Sequence, residues 1–155
     1  MASGVGNVAC FEAASGKPVW FVKLFDLYEA PQVQWGYAES LLVDGDKLFC
    51  TPCGKKATMV ALDRKTGQPV WASPALGQGS SFCSPLPIKH GGKRMIVTMT
   101  ETAVVAFSPE EGRVLWQHPY ENARQNHPIT PIYHQGLLYI TSGYGKGAIG
   151  LRIAD

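Results

Sequence analysis

The chain has 155 residues, of which 45% are hydrophobic and 17% are charged, and its formal net charge is +2. This composition predicts a folded globular domain and excludes a disordered chain. Because the Lys and Arg residues are scattered, nucleic acid is not an expected partner. No apolar run reaches the ~20 residues of a transmembrane helix, and no signal peptide is visible in the chain.

Short runs rich in β-branched and aromatic residues predict strands along the chain, and no window shows a helical period. One phrase occurs three times: an apolar strand, a Gly-centred turn, and a Trp four residues after the Gly. A second marker, a Ser or Thr that opens a strand at positions 40, 84 and 130, has the same period of about 45 residues. Two markers with one period predict the blades of a β-propeller. The phrase ends at Gly16–Trp20, Gly67–Trp71 and Gly112–Trp116.

Glycine turns and prolines indicate where the strands of each repeat lie. Turns with Gly fall between the first and second strands and between the third and fourth, where positive φ is needed. Four prolines fall on predicted first strands, which must then be edge strands that can spare an amide donor. These are Pro85, Pro87, Pro128 and Pro131.

We therefore predict an all-β chain that forms a partial β-propeller of four-stranded antiparallel blades, with about 3.4 repeats. Residues 1–155 would be a single propeller segment. The predicted blades are residues 7–25 (partial), 37–74, 82–118 and 128–155 (partial).

Cys50 and Cys53 form a CxxC pair after a predicted strand. In a βαβ setting this spacing indicates a redox pair, but no helical pattern follows it here. A zinc site needs a second ligand pair, whereas Cys10 and Cys83 are isolated, so no metal site is expected. We predict free thiols, buried or half-buried, that serve as small apolar residues.

Residues 145–150 spell GxGxxG after a predicted strand. A dinucleotide site would require a helix after the glycines and an acidic residue about 20 positions later. No helical pattern follows, so we predict a Gly-rich loop between the second and third strands of the last repeat.

A candidate binding face is the one where loops from fourth to first strands and from second to third strands surround the channel mouth. Its predicted side chains are mainly aromatic and cationic, which favours a small polar or anionic ligand, or a segment of a protein partner. The polar loop at residues 119–128 contributes to this face in that interpretation, and is otherwise a solvated linker. The candidate residues are Trp35, Tyr37, Glu39, Lys55, Arg124, Asn126, His127 and Tyr144, with Lys56 and Lys146 beside them.

The phrase Ala61-Leu-Asp63-x-x-Thr66-Gly67-x-x-x-Trp71 resembles the tryptophan-docking repeat of the quinoprotein-like (PQQ-like) β-propellers. Other segments look most like uncharacterised bacterial PQQ-like repeat proteins. The resemblance implies that Trp20, Trp71 and Trp116 pack on the adjacent blade. It also implies that Asp63, Thr66 and the turn glycines Gly16, Gly67 and Gly112 close the turn beneath. At the Asp and Thr positions we read Ala and Ser15 in the first copy and Ser108 and Glu111 in the third.

Catalytic quinoproteins, as the resemblance implies, hold PQQ beside a Ca²⁺ bound by a Glu and an Asn, with an Asp as base. Glu39, Glu101 and Asn126 could be offered for such roles, but no recognisable motif surrounds them. We therefore expect no catalytic residues and no cofactor. The leading interpretation is a non-catalytic propeller module that serves as a binding or assembly scaffold. The alternatives are a fragment of a PQQ- and Ca-dependent alcohol or sugar dehydrogenase, and a partial gene product without activity.

A closed propeller needs at least about four blades. We therefore expect the chain either to be part of a longer propeller or to form a homo-oligomer through its open blade edges, with copies joined head to tail. Family members are mostly periplasmic or secreted, and the sequence leaves the location of this chain open.

Overall fold

The structure is a computed structural model that describes residues 1–154. Its regular elements are thirteen strands and one short helix, and the helix, α1, spans Leu24–Tyr28. The strands are β1 (Asn7–Phe11), β2 (Pro18–Lys23), β3 (Leu42–Asp44), β4 (Lys47–Cys50), β5 (Val60–Asp63), β6 (Pro69–Ala72), β7 (Leu86–His90), β8 (Lys93–Met99), β9 (Ala103–Phe107), β10 (Val114–Pro119), β11 (Ile132–His134), β12 (Leu137–Ser142) and β13 (Gly147–Arg152).

The strands form four sheets, each made of strands that follow one another in the chain. The orders are β1-β2, β3-β4-β5-β6, β7-β8-β9-β10 and β11-β12-β13, which we call the first to fourth sheets. All pairings are antiparallel. The all-β prediction is confirmed, and two four-stranded sheets flanked by incomplete ones match a partial propeller. The assignment of the whole chain to one propeller segment stays a prediction.

Consecutive sheets pack face to face, which explains why β5 is apolar at every position but its last. Val60 and Leu62 of β5 pack with Val8 of the first sheet, and Ala61 between them packs with Phe107 of the third sheet. Successive side chains of a strand point to opposite faces of its sheet, so a strand covered on both faces needs apolar residues without alternation. The strand β9 does the same, with Val105 facing the second sheet and Val104 facing the fourth.

Glycines with positive φ form the turns between first and second strands, at Gly45, Gly92 and Gly136. Of the four prolines assigned to first strands, only Pro87 lies within one, where it pairs with Ile96. The other three were placed wrongly. Pro85 directly precedes β7, Pro131 directly precedes β11, and Pro128 lies in the loop before β11. The strands β3, β7 and β11 are all edge strands, as expected.

The helix α1 was not expected from the sequence. It buries Leu24, Phe25 and Tyr28, and its C-cap is Glu29, which has a left-handed φ of 52°. Its end lies on the loop that follows the CxxC pair, where a Cβ on Gly54 would stand 2.1 Å from the Tyr28 carbonyl oxygen. Gly54 therefore permits a close approach between two segments that the sequence pattern did not connect.

The expectation of a Gly-rich loop over residues 145–150 was partly wrong, because β13 begins at Gly147 and includes Gly150. The turn occupies residues 143–146, and no helix follows it in the described chain. Among residues 1–154, no helix has the length and apolar character needed to span a membrane.

Candidate functional site

Three turns that follow third strands share one backbone hydrogen-bond pattern. In each, the glycine N–H donates to the carbonyl oxygen four residues earlier, at 2.8 to 2.9 Å. All three glycines have φ between 70° and 74°, which side chains disfavour. The donor and acceptor pairs are Gly16 and Glu12, Gly67 and Asp63, and Gly112 and Ser108.

The reading of Ala at the Asp position of the first turn was wrong, because the hydrogen bonds place Glu12 there. Counting back four residues from the turn glycine gives Glu12 in the first turn, as it gives Asp63 in the second and Ser108 in the third. The carboxylate of Glu12 accepts from Ser15 Oγ, and Asp63 Oδ1 likewise accepts from Thr66 Oγ1 at 3.0 Å. In the third turn this position is Ser108, and its Oγ accepts a hydrogen bond from the backbone N–H of Glu110 at 3.3 Å.

Two indoles lie on the turn of the next sheet. Trp20 Nε1 donates to the Arg64 carbonyl oxygen at 3.0 Å, and Trp71 Nε1 donates to the Pro109 carbonyl oxygen at 3.2 Å. A Cβ on Gly67 would come within 2.6 Å of Trp20 Cε3, so only glycine leaves room for the ring. The hydrogen bond and the close approach together fix each indole on its neighbour.

The third indole differs. Trp116 Nε1 is buried and has no hydrogen-bond partner within residues 1–154. It borders a cavity of about 690 Å³ between the third and fourth sheets, which we call the Trp116 groove, lined also by Arg113, Leu115, Leu151 and Ile153. At the other end of the chain, Gly16 has no atom within 4 Å of the position that a Cβ would take. Of these three tryptophans and three turns, Trp116 lacks an acceptor and Gly16 lacks an indole within residues 1–154.

Among the candidate binding residues, Tyr37 and Glu39 are buried together. Tyr37 OH and the Thr51 N–H both donate to Glu39 Oε1, the latter at 2.9 Å. Glu39 Oε2 is buried and has no partner among the described residues. Burial raises the pKa of Glu39 to about 8 and raises the pKa of Tyr37. Cys50 lies near this cluster, and burial raises the pKa of its thiol too.

His127 belongs to a second buried cluster, in the loop that we expected by default to be a solvated linker. Its Nε2 lies 3.1 Å from the Glu101 carbonyl oxygen and therefore donates, which leaves Nδ1 to accept from Ser142 Oγ at 2.9 Å. Asn122 Nδ2 donates to the same Ser142 Oγ at 2.7 Å. Burial lowers the pKa of His127. The loop does link the third and fourth sheets, but it is solvated only in part, because Tyr120, Asn122 and His127 are buried.

Of the other candidate residues, only Asn126 joins one of these clusters, where its carbonyl oxygen accepts from Asn122 Nδ2 at 2.6 Å. Trp35 is 71% exposed and Tyr144 is 56% exposed. Lys55 and Arg124 are exposed as well, and Asn126 is half-buried. A single ligand site formed by all eight residues stays a prediction.

Sequence reasoning missed Thr51, Asn122 and Ser142. A signal for Asn122 was present, because it lies in a loop rich in amides beside Asn126 and His127. Thr51 directly follows β4, and Ser142 is the last residue of β12. A hydroxyl residue at the end of a strand is common and does not by itself indicate a site.

Two of the residues offered for a Ca²⁺ site beside PQQ, Glu39 and Glu101, use a carboxylate oxygen in hydrogen bonds within the chain. Glu39 is engaged with Tyr37 and Thr51, while Glu101 Oε2 accepts from the Gly79 N–H at 3.0 Å. Within residues 1–154, no group of three His, Cys, Asp or Glu side chains is placed to hold a metal ion. The prediction of free thiols is confirmed, since Cys50, Cys53 and Cys83 are buried and Cys10 is half-buried, all without a disulfide.

A family model described as the outer membrane protein assembly factor BamB, of the PQQ-repeat type, matches residues 1–154. No curated protein matches the chain. The family match covers the same residues as the stacked antiparallel sheets and their repeated Gly turns. The chain belongs to the BamB-like PQQ-repeat family.

Proposed function

We propose that the chain is a non-catalytic β-propeller module that acts as an assembly scaffold, with its sheets locked together by tryptophan docking. The observation that carries this proposal is the repeated contact in which Trp20 and Trp71 each donate to a backbone carbonyl of the next sheet. In this role the Gly turns and tryptophans are structural, and they hold a rigid frame on which loops can be presented.

The buried polar groups support a structural role. Glu39 and Glu101 each accept a backbone N–H, and His127 is held between Glu101 O and Ser142. Groups engaged in this way hold loops in place.

Protein contact is the proposed mode of action. Trp35 and Tyr144 are exposed aromatic side chains on loops, and exposed aromatics of this kind are enriched in protein interfaces. The family description names an assembly factor, and we propose that this chain likewise works by contacting proteins.

The dehydrogenase alternative is tested by adding PQQ and Ca²⁺ to the purified chain and assaying dye-linked oxidation of alcohols and sugars. We expect no turnover and no change in the melting temperature with PQQ. Measurable oxidation that requires both PQQ and Ca²⁺ would overturn the scaffold proposal.

A further inference from the structure

The loop between β10 and β11 is held to its surroundings by His127, which is fully buried. The His127 backbone N–H donates to the Ser81 carbonyl oxygen at 3.1 Å, and its ring Nε2 lies 3.1 Å from the Glu101 carbonyl oxygen. On the other side of the ring, Nδ1 lies 2.9 Å from Ser142 Oγ, at the end of β12. His127 therefore connects two segments that flank strands of the third sheet with the fourth sheet.

These contacts require a neutral imidazole ring. A carbonyl oxygen only accepts hydrogen bonds, so Nε2 carries the ring hydrogen and Nδ1 is the acceptor. Two groups that can donate face Nδ1: Ser142 Oγ at 2.9 Å and Asn122 Nδ2 at 3.3 Å. A second ring proton would stand on Nδ1, where the surrounding groups are arranged to donate rather than to accept.

The orientation of the Asn122 amide is fixed by the backbone of its own loop. Its Oδ1 accepts from the N–H groups of Arg124 and Asn126, at 2.8 and 3.3 Å, and its Nδ2 donates to the Asn126 carbonyl oxygen at 2.6 Å. Turning the amide over would set a donor against two N–H groups and an acceptor against a carbonyl oxygen. The amide NH2 group therefore stays beside Nδ1, and a protonated ring meets it donor to donor at 3.3 Å.

Of the two groups at Nδ1, only Ser142 Oγ can also accept, and it already accepts from Asn122 Nδ2 at 2.7 Å. To accept from a protonated ring as well, the hydroxyl has to turn its own hydrogen to the Asn126 carbonyl oxygen, 3.5 Å away. That distance is long for an O–H···O hydrogen bond, so a good hydrogen bond is exchanged for a poor one. Protonation of the ring therefore weakens the contacts that hold the loop.

The surroundings of the ring favour its neutral form. Burial is the main cause that lowers the pKa of His127, and the hydrogen bond to the Glu101 carbonyl oxygen opposes it. Two charged groups also act on the ring: the Lys146 ammonium lowers the pKa and the Glu121 carboxylate raises it. The carboxylate of Glu101 itself is engaged in a backbone hydrogen bond elsewhere. The Tyr120 ring lies between Lys146 and the imidazole, 5.1 Å from the ammonium and 5.3 Å from the imidazole centroid.

We propose that His127 is a pH-sensitive switch: the neutral ring holds the loop between β10 and β11 against the third and fourth sheets, and the protonated ring releases the loop in mild acid. In the released loop the ring is solvated and has its ordinary pKa of 6.5, whereas the closed loop binds the proton less readily. The closed form is therefore fully favoured above pH 6.5 and loses this advantage as the pH falls through the lowered pKa. This inference goes beyond the proposed scaffold function and does not depend on tryptophan docking.

Release changes the surface that the loop presents. Tyr120 is 2% exposed in the closed loop, and its OH donates to the Gly147 carbonyl oxygen at 2.8 Å. Because the Tyr120 ring packs on the imidazole, solvation of His127 uncovers it. Acid thus adds an accessible aromatic side chain to a loop that already carries the exposed Arg124.

The test is amide hydrogen exchange of the full chain at about pH 7.5 and pH 5, corrected for the intrinsic exchange rate at each pH. The reporting amides are those of Tyr120, Gln125 and His127, each of which donates to a backbone carbonyl oxygen. We expect their protection to fall at least about fivefold at the lower pH, while the protection of β5 and β9 amides does not fall. Glu39 does not cause this loss, because the proton that it keeps makes the folded chain more stable toward acid.

Two pairs of variants assign the response to His127. The His127→Gln variant should protect the loop equally at the two pH values, since its side chain does not titrate, whereas His118→Gln removes an exposed histidine and should respond like the parent chain. The second pair applies even if His127→Gln does not fold. Lys146→Glu sets a carboxylate where an ammonium disfavours the protonated ring, so it should move the midpoint of release upward by about half a pH unit. The matched control Lys55→Glu changes an exposed cation on another loop and should leave the midpoint unchanged.

Equal protection of the loop in the parent chain at the two pH values overturns the inference. A loss of protection that β5 and β9 share equally also overturns it, because it reports global unfolding. The same holds for an undiminished pH response in His127→Gln, or for equal midpoints in Lys146→Glu and Lys55→Glu. None of these results affects the proposed scaffold function, because Trp20 and Trp71 dock on other turns.

Discussion

Trp71 lies so close to Gly112 that a Cβ at position 112 would stand 2.4 Å from the indole atom Cε3. The same indole donates to the Pro109 carbonyl oxygen at 3.2 Å. Two contacts on one turn fix both the position and the orientation of the ring. The ring also packs against Phe49 of its own sheet, with the ring centroids 5.7 Å apart. Trp71 therefore connects the core between the second and third sheets to the rim of the third sheet.

The Gly112→Ala substitution is expected to destabilise the chain by about 2 to 3 kcal/mol more than Gly92→Ala does. Both glycines have φ between 74° and 77°, so the backbone strain of alanine is matched, and only Gly112 faces an indole. Urea unfolding followed by circular dichroism measures the difference. Equal losses in the two variants would mean that the indole is not held on the turn.

The Trp71→Phe substitution removes the indole N–H while keeping an aromatic ring. Because Pro109 O loses its donor, we expect a loss of about 1 kcal/mol beyond that caused by the smaller ring. The matched variant is Trp116→Phe, whose N–H has no partner in the described chain. Trp116→Phe should therefore cost less than Trp71→Phe. The opposite order in urea unfolding would contradict the assigned hydrogen bonds.

Glu39 should make the chain less stable as the pH rises. Its pKa is about 8 in the folded chain, compared with an ordinary value of 4.5, so the folded state keeps a proton that the unfolded state releases. The contribution of Glu39 to the free energy of unfolding is therefore highest near and below pH 4.5. It falls as the pH rises to about 8 and then levels off.

The Glu39→Gln variant removes this dependence, since its amide stays neutral. Relative to the variant, the parent chain should lose up to a few kcal/mol between pH 5 and pH 8, at about 1.4 kcal/mol for each pKa unit. Urea unfolding at the two pH values measures it. A parallel pH response in the two chains would show that the Glu39 carboxyl is ordinary.

Asn122→Ala should destabilise the chain by about 2 to 3 kcal/mol, because it removes a donor to Ser142 and leaves buried groups unpaired. Glu121→Ala is a suitable control, since Glu121 is exposed and adjacent, and it should change stability by less than about 0.5 kcal/mol. Thermal unfolding compares them. Similar midpoints for the two variants would mean that the Asn122 cluster contributes little.

The sheets could be predicted from the sequence because turn glycines and a recurring Trp mark the strand ends of each repeat. A Gly with positive φ, such as Gly67, recurs in three copies of the repeat, each time with a Trp four residues later. Such a periodic pattern is visible in the sequence without knowledge of the tertiary contacts. The helix α1 was missed because five residues, Leu24–Tyr28, are too short to show a helical period. Its formation depends on the burial of its side chains in the tertiary structure.

The site was harder to predict. The acceptors of Trp20 and Trp71 are the carbonyls of Arg64 and Pro109, two unlike residues, and every residue carries a carbonyl, so the side chain gives no signal. Glu39 and His127 were assigned to one face from the order of strands and loops alone. The strand order places a loop on a face, but it does not determine whether a side chain of that loop is exposed or buried. Both are buried in separate clusters.

Both docking contacts run in one direction, because Trp20 and Trp71 each donate to the turn of the following sheet. The second sheet thus gives one contact through Trp71 and receives another at Gly67. A repeat of about 45 residues that is duplicated or deleted as a unit therefore leaves every remaining joint with its donor and acceptor. Such an array can change its number of sheets in evolution without redesign of any existing joint.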